Sequence, residues 1–183
     1  MTAADALAVC AMLGRAGVRF WLDGGWGVDA LLDRETREHD DLDLALAVDD
    51  LAAFESAVGP AGFAEAYRDG PFNPVYADAA GRRIDVHLVD IASEVMDDGG
   101  TRVYGGRGLP YEIGALEGSG RILGTPVPCC TVEFQVRSHT GYAFDDQDVA
   151  DMAALRDRFG VELPLEYRRR GAPHADTGPV TPP

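Results

Sequence analysis

Asp41 and Asp43 are the residues whose chemistry is plainest. In the run Asp41-Leu-Asp-Leu-Ala-Leu-Ala47, leucines at 42, 44 and 46 alternate with Asp41, Asp43 and Ala45. An extended strand therefore turns the leucines to one face and both carboxylates to the other. Like charges fixed side by side favour a shared proton or a bound cation. Hard oxygen donors on one rigid strand suit Mg²⁺, which takes one or two carboxylates and fills its octahedron with water and substrate phosphates. An edge strand with a solvated acidic face carries the same pattern, so an isolated Asp-x-Asp decides nothing.

Two other stretches add to it. Upstream, Gly24-Gly25 is followed by Val28, Leu31 and Leu32 at helical spacing, which predicts a strand end, a tight turn and one or two helical turns. Glycines there let backbone approach a phosphate, and the amides of the helix start would face it. Downstream, the run from Arg82 to Asp90 puts Ile84, Val86 and Leu88 on one face and Asp85 and His87 on the other. A polar pair in an otherwise apolar central strand is costly unless something pairs with it. If this strand lies beside the Asp41/Asp43 strand, Asp85 completes a carboxylate trio. His87 reads equally well as an ordinary hydrogen-bonded strand histidine or as a site residue.

Gly24-Gly25 with Asp41-Leu42-Asp43-Leu44 resembles the signature of the polymerase-β-like nucleotidyltransferase superfamily. The longer string Gly24-Gly-Trp-Gly-Val-Asp-Ala-Leu-Leu, with Thr36-Arg37-x-His39-x-Asp41-x-Asp43, is more narrowly similar to the small antibiotic nucleotidyltransferases, the lincosamide and aminoglycoside 2''-nucleotidyltransferase group. The gap from Gly25 to Asp41, longer than the superfamily's usual spacing, suits that narrower group. The likeness runs from about Val18 to Pro164. It implies that Asp41, Asp43 and Asp85 form the metal set, holding two Mg²⁺ ions, with Asp85 as third ligand or as the base that takes a substrate hydroxyl proton. Gly24, Gly25 and the helix start would hold the triphosphate, with Arg37 as a cationic clamp on it. The break at His139-Thr-Gly-Tyr142 and the nearby Gln135 are similar to the family's C-terminal segment, which lies near the nucleotide.

Composition bounds the rest. With 183 residues and 46% hydrophobic content the chain is globular and long enough for one sizeable core. Its 31 acidic against 16 basic residues give a formal charge of -15, which repels phosphate backbones, argues against a nucleic-acid partner and favours a cationic small molecule. Cys10, Cys129 and Cys130 make neither a disulfide framework nor a zinc spacing. Buried thiols in a reducing compartment fit better. Without a basic leader or a spanning apolar run, a cytoplasmic protein with no membrane partner is the expectation, as monomer or homodimer.

Capping signals frame the helices. Thr2 with Asp5 opens a helix that stops near Gly17, and Asp145 with Asp148 opens another that ends at Gly160. Thr131 caps a third, and Asp49 or Asp50 a fourth that carries Leu51, Phe54 and Val58. Further strands are expected around 63–68 and 74–77. The glycine-rich segments 97–108 and 114–124 read as loops, the first alternatively as a substrate-facing hairpin, and Thr125-Pro-Val-Pro-Cys-Cys reads as an edge segment. Gly171 to Pro183 reads as a disordered tail.

The expected fold is α/β: a small mixed, twisted sheet with helices on one side over 1–130, and a helical C-terminal part over 131–170 that closes on it. The expected function is Mg²⁺-dependent transfer of a nucleoside monophosphate, AMP from ATP or another nucleoside triphosphate, to a hydroxyl of a small antibiotic-like acceptor, releasing pyrophosphate. Transfer to a protein or another natural product, and a non-catalytic nucleotide-binding or antitoxin-like role, are the competing readings.

Overall fold

The leucine face of the acidic strand decides where that strand sits. The computed structural model describes residues 1–141 and 143–170; Tyr142 and the tail from Gly171 to Pro183 lie outside the described residues. The chain opens with helix α1 (Ala3–Arg15), strand β1 (Phe20–Leu22), helix α2 (Gly24–Leu32), strand β2 (Asp41–Ala47) and helix α3 (Leu51–Val58). Strands β3 (Ala64–Arg68), β4 (Pro74–Ala77), β5 (Arg83–Val89), β6 (Glu94–Met96), β7 (Arg102–Tyr104), β8 (Tyr111–Glu112), β9 (Gly118–Ile122) and β10 (Thr125–Cys129) follow. Helices α4 (Val132–Ser138), α5 (Asp146–Phe159) and α6 (Leu165–Arg170) close the described chain. One mixed sheet has the order β3-β4-β5-β2-β1-β10-β9, and β6, β7 and β8 form a separate small sheet.

Strand β2 is central, parallel to β5 and antiparallel to β1. Its Leu42, Leu44 and Leu46 join Ile84, Val86 and Leu88 under Leu13 of α1 and Phe54 and Val58 of α3. At about 1.5–3 kcal/mol per fully buried aliphatic side chain, this face fixes the register, because a slip of one residue would bury Asp41 and Asp43 instead. On the opposite face Ala45 and Val89 lie with Tyr111, Leu116 and Phe134. Helices α1 and α3 thus share the leucine face, while α4, from the C-terminal part, and the β7–β8 segment cover part of the acidic face. A further cluster ties Val28 and Leu32 of α2 to Val136, Met152, Leu155, Leu163 and Tyr167, seating the C-terminal helices on the helix that follows the Gly-Gly pair. Among the described residues no helix is long and apolar enough to cross a membrane.

The Thr2–Asp5 capping box forms at the start of α1. Asp5 also takes Arg82 at 2.8 Å, tying α1 to the turn before β5. The bonds from Thr2 and then Arg82 lower the Asp5 pKa to about 2. Asp5→Ala should therefore cost about 1 kcal/mol at pH 7. Because the folded pKa lies below the unfolded one near 3.9, this contribution is complete above that value and is lost as pH falls through about 2. Melting curves of the two proteins should converge between pH 4 and 2.

Three local expectations are corrected. Asp50 does not cap α3 with its side chain; its carboxylate accepts from the Arg19 amide and guanidinium at 2.7–2.9 Å, a charged partner a helix amide cannot outcompete. Strand β10 is not an edge, since it lies between β1 and β9. Its prolines are tolerated because Cys130 donates to Leu22, so Pro128 and Pro126, two and four residues earlier, face the same side, where the β1–β10 register joins Leu22 to Cys129 and runs no further back. The segment 114–124 is not a loop but carries β9, paired with β10, whereas 97–108 takes its alternative reading as part of a hairpin, that of β6 and β7. Gly120 is required in β9 because a Cβ there would stand 2.4 Å from the Ala30 backbone. The short helix α6 carries no signal in the sequence reading.

Candidate active site

The parallel register pairs Asp41 with Arg83, Asp43 with Asp85 and Ala45 with His87. Adjacent parallel strands at matched positions point the same way, so Asp43 and Asp85 stand side by side. Strand β1 ends against β2, and the Asp23 amide donates to the Asp43 carbonyl at 3.0 Å. Asp23 is the N-cap of α2, its carboxylate accepting the Gly24 amide at 2.9 Å. The helix thus begins at Gly24 itself, two residues earlier than a separate Gly-Gly turn would allow. Gly24 has φ +53°, and a Cβ there would lie 2.1 Å from Asp43 Oδ2. The amide start of α2 therefore sits directly against the carboxylates.

Asp43, Asp85 and His87 each offer a donor atom within 4.8 Å of the others, a group that can hold a metal ion. Burial, and next the Asp41 charge, push the Asp43 pKa up to about 7. Burial also raises Asp85, whose Oδ1 is buried without a hydrogen-bond partner. Asp41 stands one step outward on the same face, its carboxylate 3.4 Å from Arg83 Nη2, outside that donor group. An orphaned carboxylate oxygen and a carboxyl held near neutral, with an imidazole beside them, make a donor set that fits a divalent cation.

A second chain of contacts runs behind the carboxylates. The Tyr111 hydroxyl donates to Asp23, and His87 Nδ1 lies 2.8 Å from that hydroxyl. Burial alone would lower the His87 pKa, but Asp23, then Asp43 and Asp85, raise it to about 9. Burial works to raise Asp23, yet His87, Tyr111 and the Gly24 amide prevail and hold it low. Asp23 and Tyr111 were not singled out in the sequence. Asp23 had a signal, since it precedes Gly24 where an N-cap belongs; Tyr111, 88 residues away, had none.

The Thr36–His39 segment is held from below by Asp29, which is 2% exposed. It accepts from the Thr36 amide and hydroxyl and lies 2.6 Å from His39 Nε2. His39 also meets the Trp26 ring at 4.4 Å and crowds Gly25, where a Cβ would lie 2.5 Å from Nδ1. Removing Asp29 strands a buried histidine, so Asp29→Ala should destabilise by about 3 kcal/mol, read as a lower urea midpoint with unchanged slope.

The structure brings Arg37 against Gly25, 2.6 Å from the site of a Cβ, but engages its guanidinium with Asp151 of α5 at 3.1 Å. His139 ends α4, its Nδ1 2.7 Å from the Gln135 carbonyl and its own carbonyl accepting from Tyr167. Burial raises Asp151, with Arg37 and His139 pulling the other way. Gln135 lies fully buried against Gly27, with neither amide atom partnered. Arg37 thus stands beside Gly25 and pairs with Asp151, and the His139 charge acts on that same carboxylate.

The family model described as aminoglycoside-2''-adenylyltransferase matches residues 5–155. A lincosamide resistance protein of Staphylococcus haemolyticus is 25% identical over 140 residues, which is 76% of this chain and 84% of that protein. The structure of the lincosamide antibiotic adenylyltransferase LnuA, lincomycin-bound, superimposes with a TM-score of 0.70 at 21% identity, covering 85% of this chain and 97% of that one. ANT(2'')-Ia in complex with adenylyl-2''-tobramycin gives a TM-score of 0.70 at 19% identity, over 93% and 98% of the two chains. The two structures share the fold of this chain.

Proposed function

The chain belongs to the aminoglycoside-2''-adenylyltransferase family, a family of nucleotidyltransferases, and from that premise we propose that it moves AMP from ATP onto a hydroxyl of a small cationic antibiotic, an aminoglycoside or a lincosamide, releasing pyrophosphate. The observation that carries this reading is the pairing of Asp43 with Asp85 beneath the first turn of α2. The acceptor oxygen bonds to the α-phosphorus as the bond from that phosphorus to the bridging oxygen breaks, and the electron pair leaves with pyrophosphate. Asp85 would take the hydroxyl proton or serve as third ligand. Asp41 and Asp43 would hold the divalent cations, whose charge, when bound, steadies the entering and leaving oxygens. Gly24, Gly25 and the α2 amides would cradle the triphosphate. Arg37, freed from Asp151, would clamp it, with His139 nearby and the helices from Thr131 closing over the cleft.

The acidic balance of the chain, 31 against 16, supports an amine-bearing acceptor. The relatives act on or hold such compounds, lincomycin and tobramycin being the ones their structures name. Pyrophosphate release, followed for each nucleoside triphosphate with Mg²⁺ and a panel of hydroxylated amines, tests the reading. Release should require ATP and an antibiotic acceptor together. Release that is independent of acceptor, or absent with every acceptor, would refute it.

A further inference from the structure

We propose that His87 is a metal ligand: its Nε2, with one oxygen each from Asp43 and Asp85, forms a mixed nitrogen and oxygen site for a divalent cation, where the family resemblance implies carboxylates alone. The inference rests on the nucleotidyl-transfer reading for the presence of a cation at these strands.

Position comes first. Asp85 and His87 are alternate residues of β5, so they share the face that Asp43 shares across the strand pair. Their donor atoms lie within 4.8 Å of one another. A cation that binds oxygen and nitrogen at about 2.0–2.2 Å keeps its donors roughly 3 to 4.4 Å apart, so the group closes on an ion with a shift of a few tenths of an ångström.

Orientation is the stronger observation. The single Tyr111 hydroxyl proton goes to the Asp23 carboxylate, so the Tyr111 oxygen, 2.8 Å from His87 Nδ1, acts as acceptor and Nδ1 carries the proton. The other nitrogen, Nε2, then faces Asp85 Oδ1 at 3.9 Å, and that oxygen is buried without a partner. Donating one ring N–H to a fixed acceptor while the second nitrogen binds the ion is the usual arrangement of metal-ligating histidines. The acceptor here is rigid. Tyr111 is 4% exposed and stacks on Phe134 with centroids 4.4 Å apart, and Asp23 is pinned by the Gly24 amide. The same Asp23 thus sets the helix start that would meet the phosphates and, through Tyr111, the ring that would meet the cation.

An imidazole in the set moves cation preference away from Mg²⁺ toward Mn²⁺ and later first-row ions. Manganese makes this testable without turnover. The protein is loaded with Mn²⁺ and inorganic tripolyphosphate, which contains no nitrogen, and read by electron spin echo envelope modulation. The expected spectrum shows coupling to one histidine nitrogen, which shifts when the protein is grown on ¹⁵N-histidine and disappears in His87→Ala. His87→Gln, which can still meet Tyr111, carries the same readout if the alanine variant does not fold. Tyr111→Phe should retain the coupling and weaken Mn²⁺ about tenfold. Mn²⁺ bound to the wild-type protein without nitrogen coupling, or coupling that survives loss of His87, overturns the ligand assignment and leaves nucleotidyl transfer standing. No Mn²⁺ binding at all overturns both.

Discussion

Asp43→Asn should lower kcat by about 10³-fold or more while leaving the fold intact. The carboxylate it removes is held against its nature: burial, then Asp41, push its pKa to about 7, and no arginine among the described residues pairs with it. Asn has the same shape without the charge. The sign of the stability effect follows. A group whose folded pKa is raised above the unfolded value near 3.9 supports folding fully below that value, and the support is lost as pH rises through about 7. Without divalent cation, the wild-type protein should therefore lose stability between pH 4 and 7 through this group, and Asp43→Asn should lack that loss. Melting curves in a chelator at pH 5 and 8, repeated with Mg²⁺, measure it. Mg²⁺ should raise Tm in the wild type at pH 8 and much less in the variant. Full transfer by Asp43→Asn would remove Asp43 from the metal set.

Gly24→Ala should cost about 10² in kcat and several degrees in Tm. Two effects add. At φ +53° any residue with a Cβ carries about 1–2 kcal/mol of backbone strain. The added Cβ would also stand 2.1 Å from Asp43 Oδ2, which only a shift of that carboxylate or of the α2 start can relieve. A displacement of about 1 Å at the reacting centre is enough for a hundredfold loss. Gly17→Ala separates the two effects, since Gly17 has φ +70° with no atom near its Cβ position. It should lose stability alone. Equal kcat in Gly24→Ala and the wild type would show that the helix start is not coupled to Asp43.

What the sequence made legible was local. The period of two in β2 and β5 put Asp41, Asp43 and Asp85 on shared faces because side-chain alternation depends only on neighbours along the strand. The capping boxes of α1 and α5 formed as read, since each needs three consecutive intervals and no tertiary partner. What stayed hidden depends on long closures. Tyr111 reaches Asp23 across 88 residues, and Arg37 reaches Asp151 across 114. Neither pairing has a pattern in the chain. The β9 glycines resembled a loop because their reason for being small, the backbone of α2 at Gly120, belongs to another element. The prolines of β10 misled in the same way, because the slight overlap of β1 with β10, at Leu22 and Cys129, is what makes them harmless in mid-sheet.

Group transfer from ATP to a small antibiotic at Asp43 and Asp85 is tested most directly by the mass of the acceptor. The protein is incubated with Mg²⁺, ATP labelled at the α-phosphate, and lincosamide and aminoglycoside acceptors. The prediction is an acceptor heavier by one labelled adenylyl group, AMP less one water, formed by the wild type and not by Asp43→Asn. Labelled AMP found on no acceptor, or equally on acceptor with both proteins, would contradict it.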